Sequence, residues 1–339
     1  MNRRILAIGL TFLIAASAAG AQELSSGRMR VRIDPRNGRF TVHYMADVAR
    51  RQFVALLDDK EARTSFPTLY LDQRAIRLGE APEFRVTVST EQGAALISYR
   101  SSTAVVRQRI EFATSPGASA ADGIAVSFEI ENISDRDMQV GLRYLLDTWL
   151  GEREGSHFVL PSAGVLSGET LLAGDYEERH IVSPGSGAAL YLPFHAPAAR
   201  PDRVVAANWK RLSDAAWAMD VNASRGFTLM PYSINDSALA LYFEPRTLRG
   251  GERRSIAVLL SAATPGAYAS ATAARPAEAS PTGTIAIAPS LDMMADLIAA
   301  RKLLDAINAA LAADVPPGAD ELAAFESLLK RLEERKAGY

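Results

Sequence analysis

The feature that most restricts the fold of this chain is a two-residue alternation of apolar and polar side chains, repeated in short segments from about residue 29 to residue 260. In RMRVRIDPRNGRFTVHY, Met29, Val31 and Ile33 alternate with arginines, Asp-Pro-Arg-Asn-Gly has turn composition, and the alternation then resumes. This pattern is typical of a β-hairpin with one buried face. It predicts two paired antiparallel strands at the start of the alternating region.

Similar segments recur at a spacing of roughly ten residues. EFRVTVST, AALISYRS, VVRQRIEF and IAVSFEIEN alternate, whereas QVGLRYLLDTWL, AALYLPF and SALALYFEP are more continuously apolar. Continuously apolar strands are typical of a sheet that is covered on both faces. Because no helices of useful length lie between these segments, we predict a mainly β protein, an antiparallel β-sandwich over residues 22–263.

The amino terminus predicts export. Arg3 and Arg4 precede an apolar run from Ile5 to Ala16, which is too short to span a bilayer, and small residues follow up to Ala21. This order is that of a signal peptide over residues 1–21, with no transmembrane segment left after cleavage. We therefore expect a periplasmic or secreted protein that begins near residue 22.

The composition excludes several classes of protein. The chain has 339 residues, 48% of them hydrophobic, and no cysteine, so an exported form must rely on its core and has neither disulfides nor thiolate chemistry. Loss of Arg3 and Arg4 changes the formal net charge from -2 to -4. A mildly acidic chain without a basic cluster has no electrostatic footprint for nucleic acid or an anionic membrane surface.

The composition changes after the alternating region. Residues 264–289 are rich in Ala, Pro and Ser and predict a linker, and residues 290–336 contain two amphipathic segments that predict an α-helical hairpin. The proposed protein-docking stripe of this hairpin contains Leu297, Leu304, Leu311 and Leu328. Such a stripe needs a partner. We expect it to pack either on its own sandwich or on an envelope protein or second copy of the chain.

The segment GLRYLLDTWLGEREGSHF places Asp147, Glu152, Glu154 and His157 within eleven residues. We interpret it as a strand-ending turn with a solvated acidic tip, because an Asp followed by Thr at a strand end commonly binds its own loop backbone. One alternative is a divalent metal site, with calcium bound through Asp147, Glu152 and Glu154. The other alternative is acid and base catalysis. No cofactor is predicted beyond that calcium ion.

Two further groups of residues could carry a function. In DYEERHIV, alternation predicts Glu178 and His180 on the solvent-exposed face of a strand, although the same residues could form an acid and base pair. Trp209 and Trp217 are flanked by apolar residues, which favours the core, whereas exposed tryptophans would suit sugar binding. Local motifs for a serine hydrolase, a zinc protease, a phosphate loop or a dinucleotide site are absent from the sequence.

Three sequence blocks carry a family resemblance. DTWLGEREGSHF, ANWKRLSDAAW and YSINDSALALYFEP resemble blocks found in that order in uncharacterised exported β-sandwich proteins of bacteria, including spirochaetes. The similarity covers roughly residues 120–262. Many relatives have a first block closer to DTMLGxNDGAPF, whereas this chain has Glu152, Arg153 and Glu154 where those proteins carry Asn and Asp. The resemblance implies the sandwich and implies no activity.

Together these patterns favour a non-catalytic binding or assembly protein of the bacterial envelope that docks through its helical hairpin. The alternative is a carbohydrate-binding or carbohydrate-active protein on a mutarotase-like supersandwich. In that case Asp147, Glu154, His157 or His180 would supply the acid and base. Asp147 or Glu154 facing a concave, aromatic-lined pocket, with His180 or another carboxyl group nearby, would favour the alternative, and carboxylates on a convex loop would oppose it.

Overall fold

The structure, a computed structural model, describes residues 22–58, 60, 62–115, 118–152 and 155–263, and over this part of the chain the protein is mainly β. One α-helix, α1, covers Trp209–Asp214. The strands in chain order are β1 Gln22–Ser26, β2 Met29–Ile33, β3 Phe40–Asp47, β4 Gln52–Ala55, β5 Phe66–Leu71, β6 Arg74–Arg77, β7 Arg85–Glu91, β8 Ala94–Arg100, β9 Ala104–Ala113, β10 Gly123–Asn132, β11 Met138–Asp147, β12 Val159–Leu160, β13 Gly164–Val165, β14 Thr170–Ala173, β15 His180–Ser183, β16 Ala189–Pro193, β17 Arg203–Asn208, β18 Ser237–Leu248 and β19 Arg253–Ala263.

These strands form three sheets in which every pairing of the named strands is antiparallel. The four-stranded sheet has the order β1-β2-β3-β4. The nine-stranded sheet has the order β13-β12-β15-β16-β19-β10-β9-β8-β7, and the six-stranded sheet has the order β14-β17-β18-β11-β5-β6. The prediction of a mainly β, antiparallel fold is confirmed.

The predicted first hairpin is formed by β2 and β3. Met29, Val31 and Ile33 are fully buried, as their alternation with arginines predicts. The turn needs glycine at Gly38, which has φ +74° and where an added Cβ would lie 2.5 Å from the Tyr99 hydroxyl. The turn therefore packs directly against a core side chain.

The main core lies between the inner faces of the nine-stranded and six-stranded sheets. Val126 and Phe128 of β10 belong to the same buried apolar cluster as Leu142 and Tyr144 of β11. The rings of Phe128 and Tyr144 meet edge to face with centroids 5.3 Å apart. Two sheets that share one apolar core form a β-sandwich, which confirms that part of the prediction.

A second apolar cluster covers the outer face of the six-stranded sheet. Trp209 and Trp217 are half-buried and pack on this cluster, with the Trp217 ring against Tyr70 and Tyr242. The buried Arg143 guanidinium holds the covering segment by donating to the backbone oxygens of Ala215 and Trp217, each at 2.8 Å. The two tryptophans are thus packing residues, but they cover an outer face and do not close the core between the sheets.

Several predicted segments lie outside the described residues. These are the signal peptide 1–21, the linker 264–289 and the helical hairpin 290–336 with Leu297, Leu304, Leu311 and Leu328. The predicted hairpin is therefore not confirmed. Among the described residues, no helix is long and apolar enough to cross a membrane.

Candidate functional site

The candidate site lies where β11 ends and β18 begins. These strands are antiparallel neighbours, so the last residue of one lies beside the first residues of the other, and Asp147 pairs with Ala238. Asp236 directly precedes β18, and Glu152 lies in the short 3₁₀ turn that follows β11. One carboxylate oxygen each from Asp147, Glu152 and Asp236 lies within 4.8 Å of the other two. We call these three residues the carboxylate cluster.

Backbone hydrogen bonds hold the cluster in place. The Ser237 N–H donates to the Glu152 carboxylate at 3.0 Å, and the Thr148 hydroxyl donates to the Ser237 carbonyl at 3.1 Å. The Asp147 N–H donates to the Ser65 hydroxyl at 2.9 Å. The turn after β11 is therefore fixed to the start of β18 and to the segment before β5.

Asn208, at the end of β17, connects a third segment to the cluster. Its side-chain amide donates to the Asp236 carbonyl at 3.0 Å and to the Phe227 carbonyl and Ser233 hydroxyl at 2.9 Å each. Its side-chain oxygen accepts from the Arg211 N–H and so caps α1. The three sequence blocks that carry the family resemblance consequently meet at this one end of the six-stranded sheet.

Burial dominates the electrostatics of the cluster. Burial raises the pKa of Asp147 to about 7. A hydrogen bond with Thr64 lowers this pKa, whereas the nearby Asp236 and Asp58 raise it further. Burial also raises the pKa of Glu152 to about 8, opposed by the Ser237 N–H and assisted by the neighbouring carboxylates. The pKa of Asp236 is raised in the same way. At neutral pH the cluster therefore holds protons and presents both hydrogen-bond donors and acceptors.

The predicted acidic loop is only partly correct. Asp147 has only 4% of its surface exposed, so the interpretation as part of a solvated acidic tip is wrong for this residue, because the turn folds back against β18. Asp147 and Glu152 do converge as the metal alternative predicts, but their third partner is Asp236, whereas Glu154 lies outside the described residues. In the sequence, Asp236 is recognisable only as an acidic residue directly before a strand. Its place in the cluster can be predicted only when the strands that pair are known.

The predicted histidines lie elsewhere and are buried. His157 stacks on Phe227 with ring centroids 4.4 Å apart, and burial lowers its pKa. His180 stacks on Tyr191 at 4.7 Å, and burial likewise lowers its pKa. Neither ring belongs to the carboxylate cluster.

The prediction that Glu178 and His180 share a solvent-exposed strand face is wrong, since both are buried. Glu178 precedes β15 and is bonded to the Ser162 hydroxyl, so it does not take part in the alternation of that strand. All four residues of β15 are buried, so the strand has no exposed face.

An exposed apolar loop adjoins the cluster. Met230, Tyr232 and Ile234 are 68%, 72% and 69% exposed, which is unusual for side chains of this size. The loop is a tight turn in which the Leu229 N–H donates to the Ser233 carbonyl at 2.9 Å. The Asn208 amide donates both to the Ser233 hydroxyl in this loop and to the Asp236 carbonyl, so the loop is held beside the cluster. We call residues 229–235 the apolar loop.

The sequence matches no protein-family model and no curated protein. Among solved structures, a galactose mutarotase-like protein from Lactobacillus casei superposes with a TM-score of 0.44 at 9% identity, covering 72% of this chain and 100% of its own. A putative aldose 1-epimerase from Escherichia coli has a TM-score of 0.42 at 13% identity, covering 71% and 98%. A galactose mutarotase related enzyme from Lactobacillus acidophilus has a TM-score of 0.42 at 8% identity, covering 72% and 97%. Because these TM-scores are below 0.5, the similarities carry no conclusion about function.

Proposed function

We propose that this protein binds carbohydrate at the carboxylate cluster, with the apolar loop as the surface on which the sugar ring rests. The observation that carries the proposal is the position of three carboxyl groups, two with pKa values of about 7 and 8, beside a loop that exposes Tyr232. Titratable groups that burial and neighbouring charges perturb together are characteristic of functional sites.

The chemistry of sugars suits both the carboxylate cluster and the apolar loop. A sugar ring presents hydroxyl groups that both donate and accept hydrogen bonds, and a partly protonated set of carboxyl groups can satisfy both. The C–H face of the ring is apolar and packs against an exposed aromatic side chain such as Tyr232, which is 72% exposed. Trp149 is a second, half-buried aromatic in the turn that carries Glu152, with the Lys60 ammonium 4.7 Å from the centre of its ring.

The test is titration of the purified full chain with a panel of mono- and oligosaccharides, followed by calorimetry and by saturation-transfer NMR. We expect Asp236→Asn and Tyr232→Ala each to weaken binding at least about tenfold, which corresponds to about 1.4 kcal/mol. Val48→Ala is the matched control, because Val48 is also an exposed apolar residue, 54% exposed, but lies between β3 and β4. If Asp236→Asn and Tyr232→Ala both bind saccharide as tightly as the unchanged protein, the proposal is rejected.

A divalent cation is a second candidate occupant, favoured by the convergence of three carboxylates. An all-oxygen set suits calcium or magnesium and not zinc. Oxygens on opposite sides of a calcium ion are about 5 Å apart, and the three oxygens of the cluster all lie within 4.8 Å of one another, so they are close enough to contact one ion. In this case Asp147, Glu152 and Asp236 would hold the ion. A rise in melting temperature with millimolar calcium that is lost in Asp236→Asn would favour the cation, and a rise only with saccharide would favour the sugar.

The assembly role predicted for the helical hairpin stays a prediction, because residues 290–336 lie outside the described residues. Export to the periplasm or beyond the cell likewise stays a prediction. An exported protein that binds saccharide would meet its ligand in the cell envelope, so the two expectations are compatible.

A further inference from the structure

β7 is the longest edge strand in the described part of the chain, and the Thr90 hydroxyl near its end donates to the Gln22 side chain of β1 at 3.4 Å. The six strands at the sheet edges of this part are β1, β4, β6, β7, β13 and β14, and β7, with seven residues, is the longest of them. At the other edge of the nine-stranded sheet, β13 has two residues. Natural proteins protect sheet edges with short strands, charged side chains, proline or bulges, because unpaired N–H and C=O groups pair readily with another strand. The β7 sequence RVTVSTE contains no proline, and its register with β8 is uninterrupted.

The turn after β7 determines which of its backbone groups point outward. Gln92 and Gly93 have φ values of +51° and +80°, as in a two-residue type I′ turn, and Glu91 pairs with Ala94. In such a hairpin the two residues that flank the turn, here Glu91 and Ala94, exchange backbone hydrogen bonds. Along the strands, pairs with hydrogen bonds then alternate with pairs without them. The N–H and C=O groups of Val86, Val88 and Thr90 therefore point away from β8.

We propose that two copies of this protein associate by antiparallel pairing of their β7 strands, centred on Val88. In this register Val88 pairs with Val88 of the second copy, and Val86 pairs with Thr90. These are the residues whose backbone groups point outward, so each pair can exchange both of its hydrogen bonds. The partner is a second copy because β7 is complementary in charge to itself.

The charges at the two ends of β7 fix this register. Centring on Val88 places Arg85 of each copy opposite Glu91 of the other, which forms two ion pairs on the exposed face. If the two β7 strands shift by two residues in either direction, Arg85 and Glu91 each lie opposite a neutral side chain or beyond the end of the other strand. Arg85 also faces Arg100 of β8 within one chain, and neither forms an ion pair with another described residue. Glu91 of the second copy would offset this like-charge pair.

The interface combines few side chains with several backbone bonds. Val86 and Val88 are half-buried against the main core, so Val88 of the second copy extends that apolar surface. Interfaces of this small size give weak, concentration-dependent association. We expect a reversible dimer and not a permanent one.

Sedimentation velocity of the purified full chain, from about 1 µM to about 300 µM, tests the proposal. We expect a dimer fraction that rises with concentration and is lost in Val88→Pro, because proline removes an outward N–H that β8 does not use. Circular dichroism and the melting temperature of Val88→Pro check that its fold is kept. A monomer at every concentration would reject the proposal.

Charge variants test the register without altering the backbone. Arg85→Glu and Glu91→Arg should each lose the dimer, because each places like charges opposite one another in both ion-pair positions. An equimolar mixture of the two variants should regain it as a mixed dimer, since every pair is then of opposite charge. Arg246→Glu is the matched control, with the same charge change at an exposed position of β18. A dimer that survives the single variants, or a mixture that stays monomeric, would overturn the β7 assignment.

Discussion

The buried environment of Asp147 lowers the stability of the folded protein when its carboxyl group is ionised. Its carboxyl group is almost fully buried, and burial raises its pKa to about 7 from an ordinary value of 3.8. A difference of one pKa unit between the folded and unfolded states corresponds to about 1.4 kcal/mol. Ionising this group inside the fold therefore reduces stability, and a protein keeps such a group chiefly where its chemistry is used.

This environment predicts stability that falls as the pH rises. Between the unfolded pKa near 4 and the folded pKa near 7, the folded state binds more protons than the unfolded state, so raising the pH favours unfolding. We expect the free energy of unfolding, measured with urea in the presence of EDTA, to be lower at pH 8 than at pH 5 by on the order of 2 kcal/mol. Asp147→Asn, which is neutral at both pH values, should reduce this dependence and leave the part that the raised pKa values of Glu152 and Asp236 contribute with the same sign. Stability that rises over the same range in EDTA would contradict the raised pKa of Asp147.

At the scale of elements, the site depends on the pairing of distant strands. The clustering of Asp147 and Glu152 could be predicted because the two residues share one turn. Asp236 could not, because the bond that joins the turn to the start of β18 links residues 89 positions apart, Thr148 and Ser237. Alternation identifies strands but not their neighbours in a sheet.

The alternation of apolar and polar residues also fails to predict exposure in a short strand that is fully buried. Glu178 and His180 are two positions apart, yet only His180 lies in a strand, and β15 is buried along its whole length. The hydrophobic period describes a strand with one exposed face. It makes no valid prediction for a four-residue strand that is buried along its whole length.

The helix α1 offers a test of how the elements hold the site. Asn208 caps this helix and donates to three acceptors around Phe227, Ser233 and Asp236, so Asn208→Ala leaves several buried groups unpaired. We expect a loss of about 2 to 4 kcal/mol in the free energy of unfolding. Amide hydrogen exchange should also accelerate in the apolar loop.

The control for this substitution is Asp214→Ala in the same helix. Asp214 forms an exposed i,i+4 ion pair with Lys210, and such pairs contribute a few tenths of a kcal/mol. Equal effects of the two substitutions would show that the Asn208 network does not hold the loop.

At the scale of the whole molecule, the nine-stranded sheet depends on its last strand in the sequence. β19 lies between β16 and β10, so it joins two groups of strands that do not otherwise pair. A chain that ends at Glu252 should therefore lose cooperative unfolding by urea, because β10 and β16 lose their common neighbour and the main core loses Ile256, Val258 and Leu260. A cooperative transition that matches the full chain would contradict this role for β19.

The central position of β19 also sets an order of events during synthesis. β10 ends at Asn132 and β19 begins at Arg253, so about 120 residues must be added before β10 meets its second partner. At about 5 to 20 residues per second, this takes on the order of ten seconds. Throughout that interval one side of GIAVSFEIEN has no strand to pair with, so contact with other nascent chains competes with completion of the sheet.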